Sequence, residues 1–310
     1  MRLLFDDELI ESVVFLCVSG KRAGIPALQI RRYYRERERA YAMSDPDERN
    51  AGFARLHAAW FHEWDLDRGL AAVAADFPLL EPSLQAMAFR KARNKFEEGA
   101  DLYVNASGER HGVVALRAER FARDAALRAF LNHELMHVSD MVDPSFGYAR
   151  DASQFGETAS QKRLVQERYR LLWDVTIDGR LTGLGRATEA AMERRRDEFE
   201  RAYNFLDADQ RRALFESLWT GASPRHPALL DLARDPRGLS GSHRRAPGAP
   251  CPLCGFAAFD WIEGPALKED TVFAIRKEFP AWTLEESVCH RCAEIYEAPT
   301  GLELPATVCL

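Results

Sequence analysis

Two histidines and a glutamate stand close together near the middle of the chain, in the segment His133-Glu134-Leu135-Met136-His137. On a helix, side chains four residues apart project from the same side, so His133 and His137 can present two imidazole nitrogens to one metal ion. Glu134 then lies beside the ion, where its carboxylate can take a proton from a water molecule. The spacing predicts a catalytic zinc site with two histidine ligands and Glu134 as general base.

A second candidate metal site comes from the cysteines. Four of the six form two C-x-x-C pairs, Cys251 with Cys254 and Cys289 with Cys292. Together they supply four thiolates, the ligand set of a tetrahedral structural zinc site. This segment is similar to zinc ribbons and rubredoxins, and the likeness implies a small domain held together by its metal, with iron as the alternative to zinc. The segment Thr271–Phe279 between the pairs is predicted to be a strand of its sheet.

The apolar pattern predicts the elements that carry the histidine motif. A helix is expected from Asp124 to about Val142, with Asp124 as its N-cap and Pro144 ending it. A second long helix is expected to run from about Glu157 to Leu181. Just upstream of the motif, two strands joined through Asn105-Ala106-Ser107-Gly108 form a predicted hairpin.

The rest of the first 98 residues is expected to be helical, because apolar residues recur at spacings of three and four. The predicted fold class is therefore mainly α with a small β-sheet, plus a small four-cysteine zinc-ribbon domain. The segment 234–250 is rich in Gly, Pro, Ser and Arg and is expected to be a linker. Two domains are predicted, a zincin-like α+β domain over residues 1–240 and a linker with a zinc ribbon over residues 241–310.

The hairpin, the motif helix and the long helix after it resemble the zincins, the HExxH metallopeptidases, over about 80 residues. The resemblance implies a zinc-dependent peptidase that uses Glu134 as the base and binds its substrate beside an edge strand. The segment 112–121 is expected to be that strand. The order of parts is also similar to SprT-like proteases, but no histidine lies between Val138 and Arg225, and the tail is not basic, so DNA-linked substrates are not expected.

The third protein ligand of the catalytic zinc is less sharply defined, and three acids compete for it. Asp143 stands where the metzincin pattern would place a ligand, but Asp140 replaces the glycine that lets the chain turn back there. Glu157 has nearly the spacing of the thermolysin-like gluzincins. Asp178 is favoured, because it falls in the predicted buried stripe of its helix, where an apolar residue is expected. Glu157 and Asp178 exclude each other, since about 30 Å of helix separates them.

Charge and composition limit the partners and the location. The net charge is −6, and the residues from Ala246 onward account for all of it, with four basic and ten acidic side chains. A nucleic-acid partner is therefore not expected. The N-terminal residues lack a secretory pattern, and no stretch approaches 18 uninterrupted apolar residues, so neither secretion nor a membrane is expected. The paired cysteines are typical of a reducing compartment, which predicts a cytoplasmic protein.

The combined prediction is a zinc metallopeptidase with one catalytic and one structural zinc, acting on a peptide or protein substrate. A protein partner bound through the zinc ribbon is a further expectation. Two alternatives stay open: a non-catalytic zinc-binding adaptor, and a non-peptidase metallohydrolase on the same scaffold. The presence of Glu134 favours an enzyme over an adaptor, because a binding module needs no general base.

Overall fold

The structure is a computed structural model, and it describes residues 1–188, 190–221, 223–236 and 248–297. The chain divides into two units, Met1–Leu229 and Leu230–Leu310. The domain boundary predicted at residues 240 and 241 lies outside the described residues, as does most of the predicted linker. Among the described residues, no helix is both long and apolar enough to cross a membrane.

Helices dominate the first unit, and a single four-stranded sheet lies among them. The helices are α1 (Asp7–Val18), α2 (Ala27–Tyr41), α3 (Pro46–Glu63), α4 (Leu66–Ala75), α5 (Leu80–Ser83), α6 (Asp124–Val142), α7 (Ala159–Gly183), α8 (Ala191–Ala202), α9 (Ala208–Thr220) and α10 (His226–Arg234), whose C-terminal part belongs to the second unit. The strands are β1 (Arg2–Phe5), β2 (Ala86–Lys91), β3 (Gly99–Val104) and β4 (Arg110–Leu116). The predicted α+β fold class is confirmed.

The sheet has the order β1-β2-β4-β3, with β1, β2 and β4 parallel and β3 antiparallel to β4. The β3–β4 hairpin agrees with the prediction, and Gly108 in its turn has a φ of +81°, which favours glycine.

Two expectations about the strands were wrong. The segment 112–121 holds the inner strand β4, so the edge strand next to α6 is β3. The strands β1 and β2 lie in the part expected to be wholly helical; both are short, and β2 lacks the alternation that marks a half-exposed strand.

Helix α6 carries the histidine motif and ends where the sequence predicts. It runs to Val142, and Asp143 follows it as C-cap. The residue at its N-cap position is Arg123 rather than Asp124, whose carboxylate instead pairs with Arg22 at 2.7 Å. Near its C-terminus, Asp140 accepts hydrogen bonds from Nε1 of Trp173 (2.7 Å) and Nη1 of Arg180 (2.8 Å). Asp140 therefore links α6 to α7 through hydrogen bonds.

Helix α7 occupies the centre of the helical layer. A capping box of Thr158 and Gln161 starts it, and every residue from Leu172 to Gly179 is buried. Helices α8 and α9 both pack against it. At Gly179 the approach of α9 is so close that a Cβ atom would lie 2.2 Å from the carbonyl oxygen of Trp219. The segment of α7 from Leu172 to Gly179 is thus enclosed, with no solvent-facing stripe.

The second unit has a small core around three of the four paired cysteines, Cys251, Cys289 and Cys292. Its described elements are β5 (Ala249–Pro250), β6 (Ala257–Ala258), β7 (Trp261–Ile262), α11 (Glu269–Glu278), β8 (Val288–Cys289) and α12 (His290–Glu297). The strands form two separate pairs, β5–β6 and β7–β8. The strand predicted at 271–279 was wrong, because this segment lies largely in α11. Its apolar residues Val272, Ile275 and Phe279 recur at helical spacing and pack on the core.

The close approach of α9 to α7 yields a stability prediction. We expect Gly179→Ala to destabilise the first unit by about 1–3 kcal/mol, because the added methyl group would overlap a backbone carbonyl that cannot move without shifting α9. Gly183→Ala is the matched control on the same helix, with open space around its Cβ position. It should leave the free energy of unfolding unchanged or raise it by up to about 1 kcal/mol. Urea unfolding of both variants measures the difference, and equal stability would contradict the packing described here.

Candidate functional site

Two helices bring three metal-binding side chains together. His133 and His137 project from α6, and Asp174 faces them from α7. The Oδ1 atom of Asp174 lies 3.0 Å from Nε2 of His137 and 3.4 Å from Nε2 of His133, and one donor atom from each of the three residues lies within 4.8 Å of the others. Two ligand atoms on a tetrahedral zinc lie about 3.3 Å apart, because each bond is about 2.0–2.1 Å long. This donor group can therefore hold a metal ion.

Asp178, the acid favoured as third ligand, lies next to the donor group on the far side of a histidine ring. Its Oδ1 atom is 2.8 Å from Nδ1 of His133, whereas Asp174 faces Nε2 of the same ring. A metal-binding histidine commonly donates its second ring nitrogen to a carboxylate, which fixes its orientation. Asp178 therefore lies where it can orient the His133 ring, whereas Asp174 lies within the donor group.

Arg195 of α8 donates hydrogen bonds to both aspartates, on the side away from the histidines. Its Nε donates to Oδ2 of Asp178 at 2.9 Å, and its Nη1 to Oδ2 of Asp174 at 3.1 Å and to Glu198 at 2.7 Å. The Arg195 side chain is only 10% exposed. Because it occupies the outer oxygen of each aspartate, the inner oxygens are left to face the histidines.

The buried carboxylates of this group are paired with cations. Burial alone would raise the pKa of Asp174 and lower that of His133, but the hydrogen bonds between them outweigh it. The pKa of Asp174 lies well below its usual value, and contacts with Asp174 and Asp178 raise the pKa of His133 to about 10. The two buried carboxylates then face two cations, His133 and Arg195, and Arg195 also pairs with Glu198. A metal ion that binds His133 must displace its proton.

The other two acids considered as third ligands lie away from the donor group. Glu157 is exposed just before the N-cap of α7, and about 15 helical residues, or roughly 23 Å, separate it from Asp174. Asp143 turns towards Ser145, whose backbone N–H it accepts at 2.8 Å. Neither residue belongs to the group that could hold an ion.

Glu134 faces a cleft between β3 and the helices α6 and α7. Its Oε2 atom accepts a hydrogen bond from the backbone N–H of Ala100 in β3 at 2.9 Å. The cleft has two parts that share Glu98, Glu134 and Arg170. The part beside His133, here called the His133 half, has a volume of about 720 Å³, and the part beside Trp173, the Trp173 half, has about 350 Å³. The predicted general base thus lies where the two halves meet.

The sequence carries a signal for Asp174 that was missed. Asp174 and Asp178 are one helical turn apart, as are His133 and His137, so two acids on α7 can face two histidines on α6. Arg195 has no comparable signal, because it stands within the run Arg194-Arg195-Arg196 and only the packing of α8 selects it.

The four paired cysteines come together in the second unit. The Sγ atoms of Cys251 and Cys292 are 3.9 Å apart, as are those of Cys254 and Cys289. Thiolates on a tetrahedral zinc lie about 3.8 Å apart, since each Zn–S bond is about 2.3 Å. Burial raises the pKa of the Cys251 thiol, but backbone N–H donors outweigh burial and lower the pKa to about 7, which favours the metal-binding thiolate. The predicted four-cysteine group can hold a metal ion.

Comparison of the chain with protein-family models, with curated proteins and with solved structures finds no match. A functional conclusion must therefore come from the arrangement of the residues themselves. The two groups that can hold metal ions are the strongest chemical features of the described residues.

Metal content distinguishes the roles of the acids. We expect Asp174→Ala to lose one metal equivalent, and Asp178→Asn to keep it with an affinity lower by about 10- to 100-fold, because its carboxylate only orients His133. Glu157→Gln is the control and should bind metal like the wild type. Elemental analysis and competition with a chelator measure both quantities. Loss of the metal in Asp178→Asn together with retention in Asp174→Ala would reverse the two assignments.

A second prediction concerns the four-cysteine group. We expect Cys292→Ser to lose the other metal equivalent and to expose the buried Trp282, because a unit of this size depends on its metal for folding. Cys17→Ser is the matched control: this thiol is buried in the first unit, where burial raises its pKa to about 11, so its loss should leave the metal count unchanged. Elemental analysis with tryptophan fluorescence tests this, and an unchanged metal count in Cys292→Ser would contradict it.

Proposed function

We propose that this protein is a zinc-dependent metallopeptidase that hydrolyses peptide bonds in peptide or protein substrates. The observation that carries the proposal is the place of Glu134, a carboxylate at the centre of a cleft and next in the chain to a residue of the donor group of His133, His137 and Asp174. A binding module has no use for a base in this position, whereas hydrolysis needs one.

The chemistry divides between the metal and the protein. A zinc ion held by His133, His137 and Asp174 would polarise the scissile carbonyl and acidify an attacking water. Glu134 would serve as the general base, taking a proton from the attacking water and returning it to the leaving amine. Asp178 and Arg195 hold the donor side chains in place, so that little reorganisation is needed during the reaction.

The surroundings of Glu134 favour an extended peptide as substrate. The strand β3 is the edge of its sheet. Glu134 accepts the outer N–H of Ala100, Asp101 accepts that of Leu102, and Arg150 donates to the Leu102 carbonyl, so a peptide laid beside β3 would take the place of these side-chain contacts. The cleft continues on both sides of Glu134. A substrate that reaches in both directions from the reacting bond fits this shape better than a small molecule does. The same features agree with the resemblance of the sequence to the zincins.

We propose a structural zinc ion in the four-cysteine group of the second unit. Four thiolates at this spacing suit zinc, and a reducing cytoplasm would keep them unoxidised. The acidic charge of this part of the chain favours a protein partner over nucleic acid.

Replacing the base tests the proposed reaction. We expect Glu134→Gln to keep both metal ions but to cleave an unfolded protein such as reduced casein at least about 100-fold more slowly, because the amide cannot accept the proton. Glu157→Gln, a surface change near α7, is the control and should retain wild-type activity. Cleavage by Glu134→Gln at the wild-type rate would overturn the proposed role. Metal-dependent hydrolysis of esters without any peptide cleavage would favour the non-peptidase alternative.

A further inference from the structure

The two halves of the cleft differ in chemistry. The His133 half is lined by six basic side chains, Lys95, Arg117, Arg120, Arg170, Arg194 and Arg195, together with five acidic ones, Glu98, Glu134, Asp174, Asp178 and Glu198. The Trp173 half combines apolar and aromatic side chains, among them Tyr103, Val113, Met141, Tyr169 and Trp173, with charged side chains such as Arg90, Glu97 and Asp101. A substrate that spans both halves therefore meets more cations in the His133 half and more aromatic side chains in the Trp173 half.

Three of these six cations, Arg117, Arg120 and Arg195, are already paired with carboxylates, and Lys95 lies over the ring of Phe96. Glu98, whose side chain is 5% exposed, accepts hydrogen bonds from Nε and Nη2 of Arg120 at 2.9 and 2.8 Å and lies 3.3 Å from Nε of Arg117. Arg195 forms ion pairs with Asp174 and Asp178. Arg170 and Arg194 differ from them, since neither guanidinium has a hydrogen bond or ion pair with any residue in the described ranges.

The two unpaired arginines flank the donor group. Arg170 precedes Asp174 by four residues on α7, so it projects from the same face one turn away, and it lines both halves of the cleft. Arg194 precedes Arg195 on α8 and lines the His133 half. Both are exposed and can reach a bound substrate.

We propose that Arg170 and Arg194 bind a carboxylate of the substrate in the His133 half, which gives the enzyme a preference for an acidic group near the scissile bond. This inference rests on the proposed peptidase function and names its substrate class. A guanidinium binds a carboxylate through two parallel N–H donors, which is a stronger and more directional contact than it makes with an amide. In the Trp173 half, the side chains of Tyr103, Tyr169 and Trp173 offer aromatic surface to a substrate side chain on the other side of that bond.

The preference can be measured with internally quenched peptides that differ only by Glu or Gln at one of three positions on each side of the cleaved bond. Both ends are blocked, so that the side chain supplies the only carboxylate. We expect Glu to raise kcat/KM about three- to ten-fold at one or more positions on a single side, since exposed ion pairs contribute up to about 1 kcal/mol each. The Glu-to-Gln ratio should fall towards 1 at high salt.

Substitution shows whether the two arginines cause the preference. In the double variant Arg170→Gln/Arg194→Gln the ratio should fall to about 1. Arg163→Gln is the matched control: it is an exposed arginine of the same helix, paired with Glu167 and outside the cleft, and its ratio should equal that of the wild type. A wild-type ratio of 1, or a ratio that survives in the double variant, overturns the inference while leaving the peptidase function intact.

A binding measurement separates this inference from the proposed function. Metal-loaded Glu134→Gln is titrated with fluorescent Glu and Gln peptides, and anisotropy gives their Kd values. If the wild type cleaves no peptide but this variant binds the Glu peptide more tightly through Arg170 and Arg194, the carboxylate site stands and the peptidase function fails. If the two peptides bind equally, the carboxylate site fails. A parallel series with a free C-terminus shows whether the bound carboxylate is a side chain or a chain end.

Discussion

The group of His133, His137 and Asp174, which can hold a metal ion, depends on the buried ion pairs of Arg195 with Asp174 and Asp178. The two aspartates are 8% and 4% exposed, and carboxylates buried to this extent would be costly without a cation beside them. Arg195 supplies that cation and occupies the outer oxygens of both. The inner oxygens are thereby aimed at the histidines. Helix α8, which contributes no candidate ligand, is for this reason as necessary to the site as α6 and α7.

The packing around α7 also fixes the positions of Asp174 and Asp178. Gly179 lets α9 lie against one side of the helix, and Asp140 joins it to α6 through Trp173 and Arg180 on another. With the helix held on several sides, Asp174 and Asp178 have few alternative positions. A donor group whose geometry is fixed before the metal binds loses less entropy on binding than one that must be assembled.

The sequence predicts best what a single element determines. His133, Glu134 and His137 share one helix, and each cysteine pair lies within one short segment, so local spacing was enough to identify them. The choice between Asp174 and Asp178 depends on how α7 is rotated relative to α6, which long-range packing decides. An amphipathic stripe was a poor guide there, because Leu172 to Gly179 are buried on all sides. The edge position of β3 likewise follows from β1 and β2, whose pairings connect residues far apart in the chain.

The first residues of β3 help to position the carboxylate of Glu134. Glu98, just before the strand, is held by Arg117 and Arg120, and the N–H of Ala100 two residues later holds the carboxylate of Glu134. The position of the Glu134 carboxylate is therefore set by β3 as well as by α6. In the proposed reaction, a peptide paired with β3 would therefore hold a defined position relative to Glu134, as proton transfer over hydrogen-bond distance requires.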